Sequence, residues 1–406
     1  MTSKGKTLPI GLGVIGLGRG FMLSLPSILA DDRVRLVAAT APRAASRNAF
    51  TNQFDARAYS DAAQMCADPA VEAVYIATPH HLHADHVAMA AAAGKHILGE
   101  KPLSISLADG QTMVAAARAA GVHLIVGPSH SFDAPVLQAR ALIDAGNLGR
   151  VRMVQSLNYT DFLYRPRRPE ELRTEKGGGV LFNQAVHQID VLRLLAGSPA
   201  LTVQSMTGAW DPARPTEGAY SALIGFEGGA FASITYSGYA HFDSNEWMDC
   251  VGELGQPSDP EGYGAARRAL ATVSTPKEEA ALKSGRTFGA VPVAEPAPNN
   301  EHFGPVIVAC DRGDLRLTPK GVWFYGDEKR QFLPAPATRA PRTPVIDALW
   351  QAIRHNQPPR QTGEWGLASL EICHAILNGA KTGGTVSLLH QNMAPRGGAA
   401  FKKHKG

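Results

Sequence analysis

The sequence predicts an α/β protein with two parts: an N-terminal doubly wound parallel sheet, and a C-terminal α+β domain with a large, mostly antiparallel, open sheet. Three observations carry this expectation. From residue 9 to about 126, short β-rich runs alternate with helical stretches, as in a parallel sheet wound with helices. A glycine-rich turn, GVIGLGRGF at 13–21, lies where the first such run meets the first helical stretch. Beyond residue 150 the alternation gives way to consecutive strand-like runs rich in β-branched and aromatic residues.

PIGLGVIG, VRLVAAT, VEAVYIAT, KHILGEK and VHLIVG read as buried parallel strands, because near-continuous apolar runs suit strands covered on both faces. FMLSLPSILADD, RAASRNAFTNQF, HADHVAMAAAAG and LADGQTMVAAARAAG read as helices closing near glycine or acidic turns. Residues 1–127 are therefore expected to form a dinucleotide-binding domain, and 128–390 a domain for substrate and oligomerisation. In the second part VRMVQSLNYTDF, ALTVQSMTGAW, YSALIGFEG and GAFASITYSGYAHF are the strand runs. Residues 253–303, polar and rich in proline and glycine with two short helical patterns, read as an insertion between strands. VIDALWQAIRHN and WGLASLEICHAILNGAKTG close the chain as helices, and the Gly/Lys-rich tail 391–406 is expected to be disordered.

Composition excludes several classes. The 406 residues are 44% hydrophobic, ample for real cores. Forty basic side chains against 36 acidic leave a net charge of +4, too slight for a nucleic-acid binder. Cys66, Cys250, Cys310 and Cys373 are far apart with no CxxC spacing, which argues for reduced thiols over a disulfide framework or zinc ribbon. No window reaches 18 consecutive apolar residues, so no membrane partner is expected and the cytoplasm is the default location.

Four motifs carry chemistry. Gly16 and Gly18 permit a tight turn and close approach of a pyrophosphate to a helix N-terminus, flanked by Arg19 and Gly20; a structural turn would look the same. Phe21 stands at the third glycine position of that fingerprint, where it is expected to alter helix packing or cover the cofactor. ATPHHLHADH, residues 77–86, holds His80, His81, His83 and His86, but a zinc helix wants two histidines four apart, and His83 and His86 are three apart; no metal is expected. GEKPL, residues 99–103, places Lys101 after a parallel strand, where ligands bind; a surface lysine in a proline-fixed turn is the alternative. In GGGVLFNQAVHQID, residues 177–190, a helix would set Asn183, His187 and Asp190 on one face behind three glycines that let a ligand approach. That makes His187 a general-base candidate, or a packing residue.

Together and in this order, these motifs resemble the Gfo/Idh/MocA oxidoreductases, named for glucose-fructose oxidoreductase and inositol dehydrogenase. The likeness extends to ATPHHLHADHVAMAAAAGKHILGEKPLS, LIDAGNLGRVRMVQ and GEWGLASLEICHAILNGAKTGGTVSL, so it covers most of the chain. It implies a Rossmann domain binding NAD, with Thr78, Pro79 and His80 in the turn beside the nicotinamide ribose and His83 at the helix start. It further implies that Lys101, fixed by Pro102, polarises the reacting oxygen, that Glu100, Lys101 and Pro102 also line the cofactor, and that His187 is the acid/base. Asn183 departs from the family's aspartate, although it could still orient the ring with Asp190 nearby. GPSHSFDAP, LNYTDFLYRPRRPEEL, TGAWDPARPTEGAY and YSGYAHFDS look most like phthalate 4,5-cis-dihydrodiol dehydrogenases, which implies a carboxylated cyclic diol as substrate.

The arginine loop YRPRRPEELR fits that substrate. Alternation along extended chain puts Arg165 and Arg167 on one side and Arg168 on the other; the first two are expected to bind carboxylates, with Tyr159 and Tyr164 shaping the ring pocket. A solvated basic loop balanced by Glu170 and Glu171 is the alternative. Ala41 replaces the acid that bonds the ribose 2′-hydroxyl, and Arg43, Ser46 and Arg47 follow it, so NADP remains open beside NAD. A sugar or polyol dehydrogenase and a non-catalytic ligand sensor are competing functions. The family's open sheet implies a homodimer or homotetramer.

Overall fold

The computed structural model describes residues 8–295 and 297–391. The expected 391–406 tail lies, apart from Gln391, outside the described residues. The first half builds a six-stranded sheet in which every paired neighbour is parallel. In chain order it comprises β1 (Ile10–Ile15), α1 (Arg19–Leu29), β2 (Val34–Thr40), α2 (Ala44–Gln53), β3 (Arg57–Tyr59), α3 (Ala62–Cys66), β4 (Ala73–Ile76), α4 (His83–Ala92), β5 (His96–Gly99), α5 (Leu107–Ala119) and β6 (Leu124–Val126). The order β3-β2-β1-β4-β5-β6 reverses between β1 and β4, and a crevice at the carboxyl ends of strands on either side of such a reversal is where ligands bind. β3 and α3 are too short to show a period in the sequence.

α6 (Ala134–Asp144) leads into β7 (Val151–Tyr159), α7 (Val186–Ala196), β8 (Ala200–Gly208), β9 (Ala219–Phe226) and β10 (Phe231–Ser237). The insertion contributes α8 (Ala265–Ala271) and α9 (Pro276–Ser284). Then follow β11 (Val306–Cys310), β12 (Gly313–Thr318), β13 (Gly321–Tyr325), β14 (Arg330–Pro334), α10 (Thr343–His355), α11 (Gly363–Thr382) and β15 (Val386–Ser387). The second sheet has nine strands in the order β14-β13-β12-β11-β7-β10-β9-β8-β15, antiparallel throughout except at β7–β10.

One face of this sheet packs against α6, α7 and α11 around Val154, Ile189, Ile234, Val308 and Leu370. The other is open. The registers set Ile307, Gln155, Ser233, Leu223 and Gln204 in one row across it. The parallel sheet has a core on each face, one of which gathers α1 and α2 with residues from far along the chain: Phe288 of the insertion and Val345, Ile346 and Leu349 of α10. Cys66 and Cys373 are buried, and all four cysteines are free. Among the described residues no helix is long and apolar enough to cross a membrane.

Candidate active site

The turn between β1 and α1 is shaped by its glycines. Gly16 has φ +99°, and a Cβ there would lie 2.6 Å from the Ala77 carbonyl oxygen, so only glycine fits. At Gly18 a Cβ would meet nothing nearer than 3.8 Å, and α1 behind it has no side-chain cap on its first turn. Uncapped N–H groups at the positive end of a helix, with an open approach, fit a dinucleotide pyrophosphate. Arg19 stands exposed beside them.

Gly20 serves another purpose: its Cβ would come within 3.0 Å of Glu100 Oε1, which accepts from the Tyr75 hydroxyl at 2.6 Å. Gly20 and Glu100 therefore knit α1 to the end of β5. Phe21 is fully buried, its ring 5.6 Å from Phe288 and 6.3 Å from Phe50. Phe21 thus packs into the core shared by α1, α2 and Phe288.

The histidines of 77–86 point four ways. His83, 1% exposed, sets Nδ1 3.0 Å from the Pro102 carbonyl and Nε2 3.0 Å from that of Thr78, so it ties the turn after β4 to the turn after β5. His86 Nδ1 meets the Thr78 hydroxyl, His80 Nδ1 meets the Gly177 carbonyl, and His81 is exposed. Burial, with the charges of His83 and Lys101 nearby, holds the His80 pKa well below the usual imidazole range. Pro79 is exposed in the same turn.

Lys101 follows β5 and donates from Nζ to the backbone carbonyl of Asn183 at 2.8 Å. Burial lowers its pKa to about 8, with Glu100 opposing the shift and Arg342 adding to it. Asn183 lies in a π-helical turn, Leu181–Ala185, that leads into α7. The wider turn breaks the i, i+4 stacking that would have set Asn183 over His187. Its amide instead donates to the carbonyls of Gly177 and Gly179, at 3.2 and 2.8 Å. Asp190 is also withdrawn: its two oxygens accept from the Ser129 hydroxyl and the Trp365 indole N–H. Neither expected partner bonds the histidine.

The three glycines are filled by protein rather than left open to ligand. A Cβ at Gly177 would strike Ile105, one at Gly178 the Glu171 carbonyl, and one at Gly179 the Glu217 carboxylate.

His187 is half-buried, with Nδ1 enclosed and unpartnered among protein atoms. Its ring packs edge-on against His130 at 4.7 Å and lies tilted against Phe303 at 5.0 Å. Burial, then the charges of Lys101, His130 and Arg342, pushes its pKa well down, so the ring is neutral at physiological pH. His130 bonds Asp133 at 2.7 Å. Burial lowers the His130 pKa, but the Asp133 carboxylate outweighs it and the net shift is upward. Glu301, whose carboxylate lies in the same buried group, accepts from Arg342 at 3.1 Å.

Sequence reasoning missed His130, Asp133, Phe303 and Arg342 as site residues. The HSFD spacing was legible as an i, i+3 pair, but no local pattern joins it to residues 301–342.

In the arginine loop the guanidinium carbons of Arg167 and Arg165 lie 3.6 and 6.0 Å from the Phe162 ring centroid. Arg165 is already committed to Asp161 at 3.1 Å and Glu253 at 3.3 Å. Arg167, 8% exposed, donates to the Phe162 carbonyl at 2.6 Å, and its Nε has no partner. Among the described residues no carboxylate pairs with its guanidinium, and burial lowers its pKa to about 10. Tyr159 packs beside Phe242 at 6.4 Å. Tyr164 sets its hydroxyl on Asp211 and its ring under the Arg267 guanidinium.

Known proteins resemble this chain in sequence and fold. Residues 10–128 match the model of the oxidoreductase family with an NAD-binding Rossmann fold, and 136–256 match the GFO/IDH/MocA C-terminal domain. A 1-carboxy-3-chloro-3,4-dihydroxycyclohexa-1,5-diene dehydrogenase of Comamonas testosteroni is 46% identical over 375 residues, which is 91% of this chain and 94% of that protein. A solved structure from Bordetella bronchiseptica RB50 is 40% identical, covers 94% of this chain and 100% of its own, and superposes with a TM-score of 0.90. Levoglucosan dehydrogenase in complex with NADH and levoglucosan, at 18% identity and TM-score 0.70 over 94% of this chain and 99% of its own, shares the fold. On the matched domains and the identity along nearly its whole length, the chain belongs to the Gfo/Idh/MocA family of NAD-binding oxidoreductases.

Proposed function

We propose that this enzyme oxidises a carboxylated cis-dihydrodiol to a catechol, with phthalate 4,5-cis-dihydrodiol giving 4,5-dihydroxyphthalate. Arg167 carries the reading. A buried guanidinium with no carboxylate bonded to it, Glu171 acting only through space, is costly, and an anionic substrate supplies a direct partner. Its charge, like that of Arg342, disfavours the Lys101 ammonium. A neutral polyol has nothing to offer it. The name of the Comamonas relative contains a ring diol and one carboxyl group. Because Arg165 is already paired, a monocarboxylated diol is the second reading.

A nicotinamide dinucleotide held at the Gly16–Gly18 turn and the start of α1 would supply the acceptor for the hydride of the carbinol carbon. Neutral His187 takes the hydroxyl proton, and the Lys101 ammonium stabilises the oxygen as charge develops. The hydroxyketone left by loss of hydride and proton enolises to the catechol. Aromatisation favours this outcome, so a histidine without a carboxylate behind it suffices.

Formation of reduced cofactor, followed by absorbance, tests the reading with phthalate diol, a monocarboxylated diol and a polyol. A preference for the polyol rejects it.

The pH dependence follows from the shifts. kcat/KM is expected to rise from acid as the His187 imidazolium loses its proton well below the usual range. It should stay level through neutrality and fall above pH about 8 as the Lys101 ammonium deprotonates. Lys101→Arg should move the alkaline limb upward; a limb that stays in place would assign it to another group.

The open sheet face, with Met206, Leu223, Phe231 and Ile307 exposed, supports a homo-oligomer. Sedimentation as a monomer at micromolar concentration would refute it.

A further inference from the structure

We propose that residues 286–289 of the insertion form a strap that belongs to the dinucleotide site, and that this strap excludes the 2′-phosphate of NADP and so makes the enzyme selective for NAD. The proposal rests on the family's NAD binding and adds a selectivity element to it.

The strap is docked on the cofactor turn itself. The Phe288 N–H donates to the Leu17 carbonyl at 3.1 Å, between the two glycines that receive the pyrophosphate. The Phe288 ring, 2% exposed, is held among Phe21, Phe50 and Phe54 at 5.6, 6.1 and 5.8 Å. Gly289 follows with φ +81°, and a Cβ there would lie 3.0 Å from Ala49 of α2. The segment is thus packed against both α1 and α2.

The residues after β2 are where a dinucleotide's adenosine ribose is read. A 2′-phosphate there would look to three candidates, each of which already makes a hydrogen bond within the protein. The Arg43 guanidinium bonds the Thr287 hydroxyl. The Ser46 hydroxyl donates to the Phe288 carbonyl at 3.2 Å. Arg47 donates to the carbonyls of Ala41 and Pro42, at 2.6 and 2.9 Å. Two of the three are taken by the strap. Thr287 and Ser46 are 7% and 4% exposed, so the corner is filled, and the Phe288 carbonyl sets a partial negative charge in it. A carboxylate after the second strand ordinarily repels the 2′-phosphate. Here Ala41 holds that position, and the strap supplies the discrimination from elsewhere in the chain.

Arg286 has a different role. It is exposed, and after burial it is the largest influence lowering the Arg19 pKa, which places two like charges beside the pyrophosphate turn. Pyrophosphate is common to both cofactors, so this pair adds affinity without choosing between them.

The test is titration of the whole protein with NADH and with NADPH, read by fluorescence, alongside the ratio of kcat/KM for NAD and NADP. The unaltered enzyme should bind NADH at least tenfold more tightly than NADPH. Thr287→Val keeps the shape and removes the hydroxyl, freeing Arg43; NADPH should gain about tenfold, the worth of one hydrogen bond to a charged group, while NADH stays within about twofold. Adding Arg43→Ala should abolish that gain. Arg286→Gln should weaken both cofactors by the same factor. Equal binding of NADH and NADPH by the unaltered enzyme overturns the proposal, as does a Thr287→Val change that moves both cofactors alike. A loss confined to NADPH in Arg286→Gln would make the strap a receptor for the 2′-phosphate and overturn it too.

Discussion

Replacing His187 or Lys101 by alanine is expected to lower turnover by roughly 10²–10⁴-fold, the range for positioned acid/base groups, while NADH affinity and thermal stability change little. His187 offers a neutral ring whose charged form is disfavoured by burial and by the charges of Lys101, His130 and Arg342, and no carboxylate braces it. Lys101 supplies the opposing charge, fixed by the Asn183 carbonyl. Asn183→Asp separates this view from one in which an acid at 183 would activate the base. The Asn183 amide donates to two carbonyl oxygens, so a carboxylate there would face them in repulsion. Turnover and stability should both fall. A strong rise in turnover would show that the side chain reaches His187 during catalysis.

The second large effect is expected at Arg167. Methionine there keeps bulk and removes charge, so it should weaken a carboxylated diol by about 1.5–3 kcal/mol, or roughly 10–150-fold in KM. A neutral cis-dihydrodiol of benzene or toluene should be handled as before. Arg165→Met should behave differently: it strips the partner from Asp161 and Glu253, leaving two acids in the cleft. Its losses should therefore appear with both substrates. Kinetics of the two variants on the two diols check this, and equal loss on both diols for Arg167→Met would make that residue a support of the loop.

Much of this molecule was legible in its sequence because the relevant signals are local. Apolar runs spaced by helical stretches marked the parallel sheet, and five of its six strands lie inside the expected runs. The glycine turn, the lysine after β5 and the histidine of α7 each sit in a motif of a few residues.

What only tertiary structure decided involves residues distant in the chain or a change of local period. β11–β14, four strands of the second sheet, were not anticipated, and their places in its order come from long-range pairing. The π-helical turn withdrew Asn183 from His187, since one wider turn shifts every later residue around the helix. Asp190 found Trp365, and His187 found His130 and Phe303. The insertion, in sequence only a polar stretch with two short helices, sends Phe288 into the core beside the cofactor turn. A sequence pattern states which faces must be buried, whereas which distant segment buries them depends on shape, charge and hydrogen bonding that exist once the chain has folded.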